Sequence, residues 1–131
     1  IVAGGGVALL EARNKFVSSN VNLDLYEGDE KIGSEILLNA IEKPFIQILK
    51  NAGIEKYHNI LAHCVDGNEG YNIKTGEYVN MIEAGIIDPT KVTRTALENA
   101  VSVAGTMLIT ECTIVDDPDK KDEGAMPMMG M

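Results

Sequence analysis

The run from Gly70 to Arg94 constrains the fold more than any other part of this chain. It reads Gly-Tyr-Asn-Ile-Lys-Thr-Gly-Glu-Tyr-Val-Asn-Met-Ile-Glu-Ala-Gly-Ile-Ile-Asp-Pro-Thr-Lys-Val-Thr-Arg. Tyr71–Ile73 and Glu77–Val79 are short β-prone stretches flanking Lys74-Thr75-Gly76, a hairpin loop with glycine at its end. Asn80–Ala84 predicts one helical turn closed by Gly85. Asp88-Pro89 is a helix-start signal, with Asp at the N-cap and Pro at the first helical position. A carboxylate is thereby set at the mouth of a helix, directly after a hairpin and a tight turn.

The rest of the chain is read as mainly helical. Residues 1–16 predict a helix, although Gly4, Gly5 and Gly6 each cost about 1 kcal/mol against Ala in a helix interior. A triple glycine there points to close backbone approach, by a ligand or by another helix. Residues 17–28 are polar and loop-like. Ile32, Ile36, Leu37 and Ile41 recur at helical spacing and predict a helix over 29–42. Pro44 breaks or restarts it, and Phe45, Ile46, Ile48 and Leu49 carry a short helix that stops at Gly53. A further helix is predicted over 55–65, burying Ile60, Leu61 and Val65.

From Pro89 to about Ile109 runs a helix with two apolar rows. One row holds Val92, Ala96, Ala100, Val103 and Met107, and the other Leu97, Val101, Ala104 and Leu108. Such breadth predicts a helix at the centre of a core. Glu111–Val115 reads as one β-strand, which needs a partner. A charge run from Asp116 to Glu123 and the Gly/Met-rich tail Gly124–Met131 follow, and both are expected to be disordered. The expected organisation is therefore one domain over 1–115 and a tail over 116–131. The fold class is mainly α: a helical bundle with a small β-hairpin and one C-terminal strand.

Composition narrows the function. The 131 residues carry a net charge of −9, which argues against nucleic acid and against anionic membrane surfaces. No apolar stretch reaches the length of a spanning helix. Aromatic residues are only 5% and Trp is absent, so the core must come from aliphatic side chains and Met. Cys64 and Cys112 lack CxxC spacing and read as free, half-buried thiols of a reducing compartment. His63 beside Cys64 has no second His or Cys cluster to complete a metal site, and neighbours on a helix face different ways. Ile1 begins inside an apolar run with no signal-peptide pattern, which reads as the C-terminal part of something longer.

Several segments in order resemble the C-terminal part of the group I chaperonins, the GroEL-type family. They are Val2-Ala3-Gly4-Gly5-Gly6-Val7-Ala8-Leu9, Gly70-Tyr71-Asn72, Asn80-Met81-Ile82 and Gly85-Ile86-Ile87-Asp88-Pro89-Thr90-Lys91-Val92-Thr93-Arg94. Ser102-Val103-Ala104-Gly105, Thr110-Glu111-Cys112 and the Gly/Met tail continue the match. The resemblance implies the C-terminal section of an equatorial domain, in an ATP-driven machine that encloses and helps refold non-native proteins. The implied ligand is ATP or ADP, with Mg and K ions bound by parts of the parent protein outside this chain.

The implied partners are identical subunits in a ring, a co-chaperonin and unfolded protein clients. The implied setting is the bacterial cytoplasm or a mitochondrial or plastid matrix. Gly5 is implied to pass close to the nucleotide, and Asn72 and Ile73 to line the adenine side. Asp88 is implied to accept hydrogen bonds from the ribose hydroxyls, with Ile86 nearby. A carboxylate suits that task, as in dinucleotide-binding folds.

Two departures stand out: Lys74 replaces the Ala common in the family, and the tail contains Pro127. The family's Gly-Asp-Gly-Thr-Thr phosphate loop and its catalytic carboxylate are not in this chain, so no catalytic residue is expected here. From residues alone, a second reading stays open: a non-enzymatic helical assembly module whose glycines and strand serve subunit contacts.

Overall fold

The computed structural model describes residues 1–19, 27–66 and 69–116. In chain order the elements are β1 (Val2–Ala3), α1 (Val7–Ser18), α2 (Asp29–Ile41), α3 (Lys43–Asn51) and α4 (Tyr57–Asp66). There follow β2 (Gly70–Asn72), β3 (Glu77–Val79), β4 (Ile87–Asp88) and α5 (Thr90–Leu108). The class is mainly α, as expected. The tail from 117 onward and most of the loop expected at 17–28 lie outside the described residues, while Val17 and Ser18 extend α1.

The chain forms two compact units, Ile1–Glu98 and Asn99–Met131. The core of the first is Ala3, Val7, Leu10, Phe45, Leu49, Ile60, Cys64 and Met81. Leu10 and Leu49 are its largest fully buried side chains, each contributing about 1.5–3 kcal/mol of burial. Polar ties brace the helices around this core. Arg13 Nε donates to the Leu38 carbonyl at 3.2 Å and pairs with Glu42 at 2.9 Å. Asn14 Nδ2 donates to the Val65 carbonyl at 2.6 Å, satisfying an acceptor in the last turn of α4.

Helix α3 ends in a Schellman motif. Gly53 N–H donates to the Lys50 carbonyl at 2.9 Å and Ile54 N–H to the Leu49 carbonyl at 3.1 Å. Ile54 then packs on the core, so the stop signal legible at Gly53 also returns the chain to the apolar interior.

Three expectations are corrected. The helix expected over 1–16 starts only at Val7. Gly5 and Gly6 take φ of 66° and 84°, left-handed values that a right-handed helix excludes. Val2 and Ala3 instead pair antiparallel with Asp88 and Ile87.

The long C-terminal helix is present, yet α5 buries none of its residues. Its apolar rows, including Val92, Val101, Val103, Met107 and Leu108, are exposed. Helical periodicity reports which faces are apolar and not whether this chain supplies a partner. The same holds for Ile32, Ile36 and Leu37 of α2, exposed although Ile41 is buried.

Finally, Glu111–Val115 forms no strand. Described strands pair only as β1 with β4 and β2 with β3, and an isolated strand has no ladder to join.

Candidate functional site

Four short segments of the first unit meet at one cleft of about 480 Å³. The first is the glycine turn between β1 and α1. Gly4 N–H donates to the Ile86 carbonyl at 2.9 Å, and a Cβ on Gly4 would lie 3.0 Å from that oxygen. Gly6 is equally confined, its absent Cβ facing the Phe45 backbone at 3.0 Å. Gly5, between them, lines the cleft.

The second segment is the hairpin. Its register pairs Gly70 with Val79, Tyr71 with Tyr78 and Asn72 with Glu77. The loop is set by Asn72, whose Oδ1 accepts the Lys74 N–H at 3.0 Å while its backbone carbonyl accepts the Gly76 N–H at 2.8 Å. This Asx-turn is the structural use of Asn72, and it orients the amide: the oxygen faces the backbone N–H, so Nδ2 is the group left to donate. Tyr71, Asn72, Ile73 and Lys74 all line the cleft.

The third is a single helical turn capped at both ends. Asn80 Oδ1 accepts the N–H of Ile82 at 3.1 Å and of Glu83 at 3.3 Å. At the far end Gly85 N–H donates to the Ile82 carbonyl at 3.1 Å, and Ile86 N–H to the Met81 carbonyl at 2.8 Å. The turn holds Met81 in the core and delivers Ala84, Gly85 and Ile86 to the cleft. Phe45, Ile48 and Leu49 of α3 complete the wall as the fourth segment.

Four of the residues singled out from the sequence, Gly5, Asn72, Ile73 and Ile86, are thus brought together at one cleft. Asp88 is not part of that lining. It stands two residues past Ile86, in β4, half-buried, and by strand alternation on the same side as Ile86. Asp88 was expected at the N-cap of α5. Instead, the Pro89 carbonyl accepts the first helical bonds, from Val92 at 3.0 Å and Thr93 at 3.3 Å. Asp88 is one residue earlier because its backbone is committed to the pairing with Val2. Its carboxylate consequently caps nothing and has no hydrogen-bond partner among the described residues.

Sequence reasoning missed Phe45, Ile48, Leu49, Met81 and Ala84 as lining residues. They read as ordinary core or helix positions, and only the fold shows which of their faces border a void. Lys74 had a signal, as a charged residue in the hairpin loop; it carries the one charge among the cleft's described lining residues.

His63 and Cys64 are elsewhere. His63 stacks on Tyr78 with ring centroids 3.9 Å apart and has Glu69 at 3.5 Å. Cys64 is buried, Cys112 is exposed, and both are free. Burial, and then the nearby Glu69, push the Cys64 thiol up to about 11.

The fold and the cleft define a mainly helical domain that encloses a small-molecule-sized void between a glycine turn, a hairpin and a helix start. The model of the TCP-1/cpn60 chaperonin family matches residues 1–118. The chain belongs to the TCP-1/cpn60 chaperonin family, and its place in protein folding follows from that membership.

Proposed function

We propose that this chain is the C-terminal section of the equatorial domain of a group I chaperonin, and that its cleft holds the base and ribose of ATP or ADP. The observation that carries the reading is the meeting of Gly5, Asn72, Ile73 and Ile86 at one cleft, with the unpartnered Asp88 carboxylate just beyond. The residues fit such a ligand. The void is in the size range of small-molecule sites. Ile73, Met81 and Ile86 offer apolar walls to a flat base, and the Asn72 amide offers a polar edge. Asp88 accepts hydrogen bonds from sugar hydroxyls, and Gly5 lets the backbone approach without a side chain.

ATP supplies the hydrolysis free energy that drives the folding cycle. The residues of this cleft bind and orient its nucleoside end, and no step of hydrolysis is assigned to them. The wider reading comprises a ring of identical subunits, a co-chaperonin, unfolded protein clients, and a bacterial cytoplasm or organelle matrix. It rests on the motif resemblance joined to family membership.

Calorimetric titration of the full-length protein with ADP, wild type against Asp88→Ala, tests the site. ATP-dependent recovery of a chemically denatured enzyme tests the role. Weakened binding and lost recovery are expected; unchanged ADP affinity in the variant would sink the assignment of Asp88.

A second reading, an assembly module, is favoured by the exposed apolar rows of α5. It does not gain from the glycines, since Gly4 and Gly6 pack against backbone of their own chain.

A further inference from the structure

The hairpin end of the cleft presents hydrogen-bond donors and is short of acceptors. Asn72 Oδ1 is engaged by the Lys74 N–H at 3.0 Å, which leaves the amide NH₂ as the group donating to no described residue. The Lys74 ammonium forms no ion pair or hydrogen bond with a described residue. An ammonium carries three donors and no acceptor. Around these two groups the lining is apolar: Ile73, Ile86, Met81 and Leu49. A ligand edge that meets two donors in an apolar setting must supply acceptors, because a donor placed there is left unsatisfied at a cost of about 1–3 kcal/mol.

Purine edges differ in this respect. Guanine and hypoxanthine present two adjacent acceptors, O6 and N7. Adenine presents the N7 acceptor beside a donor, its N6 amino group. We propose that the base end of this cleft favours a 6-oxopurine nucleotide over adenine, with Asn72 Nδ2 and Lys74 Nζ donating to O6 and N7. This rests on the nucleotide reading of the cleft and specifies the base. Lys74 is the specificity-determining residue and Asn72, fixed by its turn, is its aligned neighbour. Adenine nucleotides enter through the same apolar walls and the same carboxylate, but set an amino group against an ammonium.

The test is calorimetric titration of the full-length protein with ADP, GDP and IDP in one buffer. GDP and IDP are expected to bind about tenfold more tightly than ADP, the discrimination typical of a well-placed donor pair on a base edge. IDP lacks the guanine 2-amino group, so its agreement with GDP assigns the preference to O6 and N7.

Lys74→Met is expected to move the GDP-to-ADP affinity ratio toward adenine by most of that factor. Asn72→Asp, which keeps an acceptor for the Lys74 N–H but removes the side-chain donors, is expected to move it the same way. A wild-type preference for ADP, or a ratio that neither substitution moves, overturns the base assignment while leaving nucleotide binding intact. Failure of all three nucleotides to bind overturns both this inference and the reading on which it rests.

Discussion

Gly4 and Ile86 are joined backbone to backbone, the Gly4 N–H donating to the Ile86 carbonyl at 2.9 Å. Ile86 borders the cleft and Asp88 follows it in β4, so this contact, together with the pairing of Val2 with Asp88, holds the cleft's rim to the start of the chain. A Cβ at Gly4 would meet Ile86 O, Ile86 C and Ile87 N at 3.0–3.1 Å, all backbone atoms with little room to yield. Gly4→Ala is expected to destabilise the fold by about 1–3 kcal/mol through overpacking and to weaken ADP binding by displacing the strand that carries Asp88. Urea unfolding followed by circular dichroism checks the first effect. An unchanged midpoint would show that the two segments part freely.

Asp88→Ala separates binding from capping. An N-cap carboxylate contributes about 1 kcal/mol, but Asp88 is one residue too early to cap α5 and has no partner to lose. The substitution is expected to change stability by less than about 0.5 kcal/mol. Its effect on ADP binding should be roughly 1.5–3 kcal/mol, the range for hydrogen bonds to a charged group. A stability loss with full affinity would reverse the assignment.

Gly70 and Met81 form a packing pair. A Cβ on Gly70 would fall against Met81 Cγ, 2.6 Å from its Sδ and 2.8 Å from Val7 Cγ2. Met81 is only 4% exposed and cannot step aside into solvent. Gly70→Ala is expected to cost about 1–3 kcal/mol. Met81→Ala alone leaves a cavity at a cost of about 2–5 kcal/mol. The double substitution should cost clearly less than the sum, because the smaller side chain makes room for the new methyl. A double-mutant cycle by urea denaturation measures the coupling, and strict additivity would rule the clash out.

The thiols should behave differently. Exposed Cys112 is expected to react at once with a disulfide-exchange reagent at pH 8, and buried Cys64 only as the fold opens. Cys64 also makes stability depend on pH. Its thiol is held near 11 in the folded chain against 9.0 as its reference, so below pH 9 both states keep the proton and the group contributes no slope. Between those values the unfolded chain gives up its proton first, binds fewer protons than the native state, and stability falls as pH rises. The slope is at most about 1.4 kcal/mol per pH unit. Cys64→Ala should remove it, as urea midpoints across that window would show.

The exposed apolar rows of α5 predict self-association. Val103, Met107 and Leu108 are 60%, 70% and 86% exposed, and a contiguous apolar surface of this kind is typical of contact regions. The 131-residue chain by itself is expected to sediment as a concentration-dependent mixture, and Val103→Lys with Leu108→Lys to shift it toward monomer. A wild-type chain that stays monomeric at every concentration would contradict this. The same isolated chain is expected to show no ATP turnover above background.

Local signals in the sequence determined much of this protein. Gly53 and Gly85 ended their helical turns where expected, Lys74-Thr75-Gly76 lay within the hairpin loop, and Gly5, Asn72, Ile73 and Ile86 were singled out before any cleft was visible. These are decisions of a few neighbouring residues, made by backbone sterics and short-range hydrogen bonds.

Tertiary structure decided the rest. It turned the glycines into a left-handed corner between β1 and α1, moved Asp88 from helix cap to strand, and left α5 and Glu111–Val115 without the partners their patterns require. Each depends on what a segment meets far along the chain: Val2 reaching Asp88, Gly4 reaching Ile86, or nothing reaching α5. A hydrophobic pattern states that a face must be covered; only three-dimensional packing states by what.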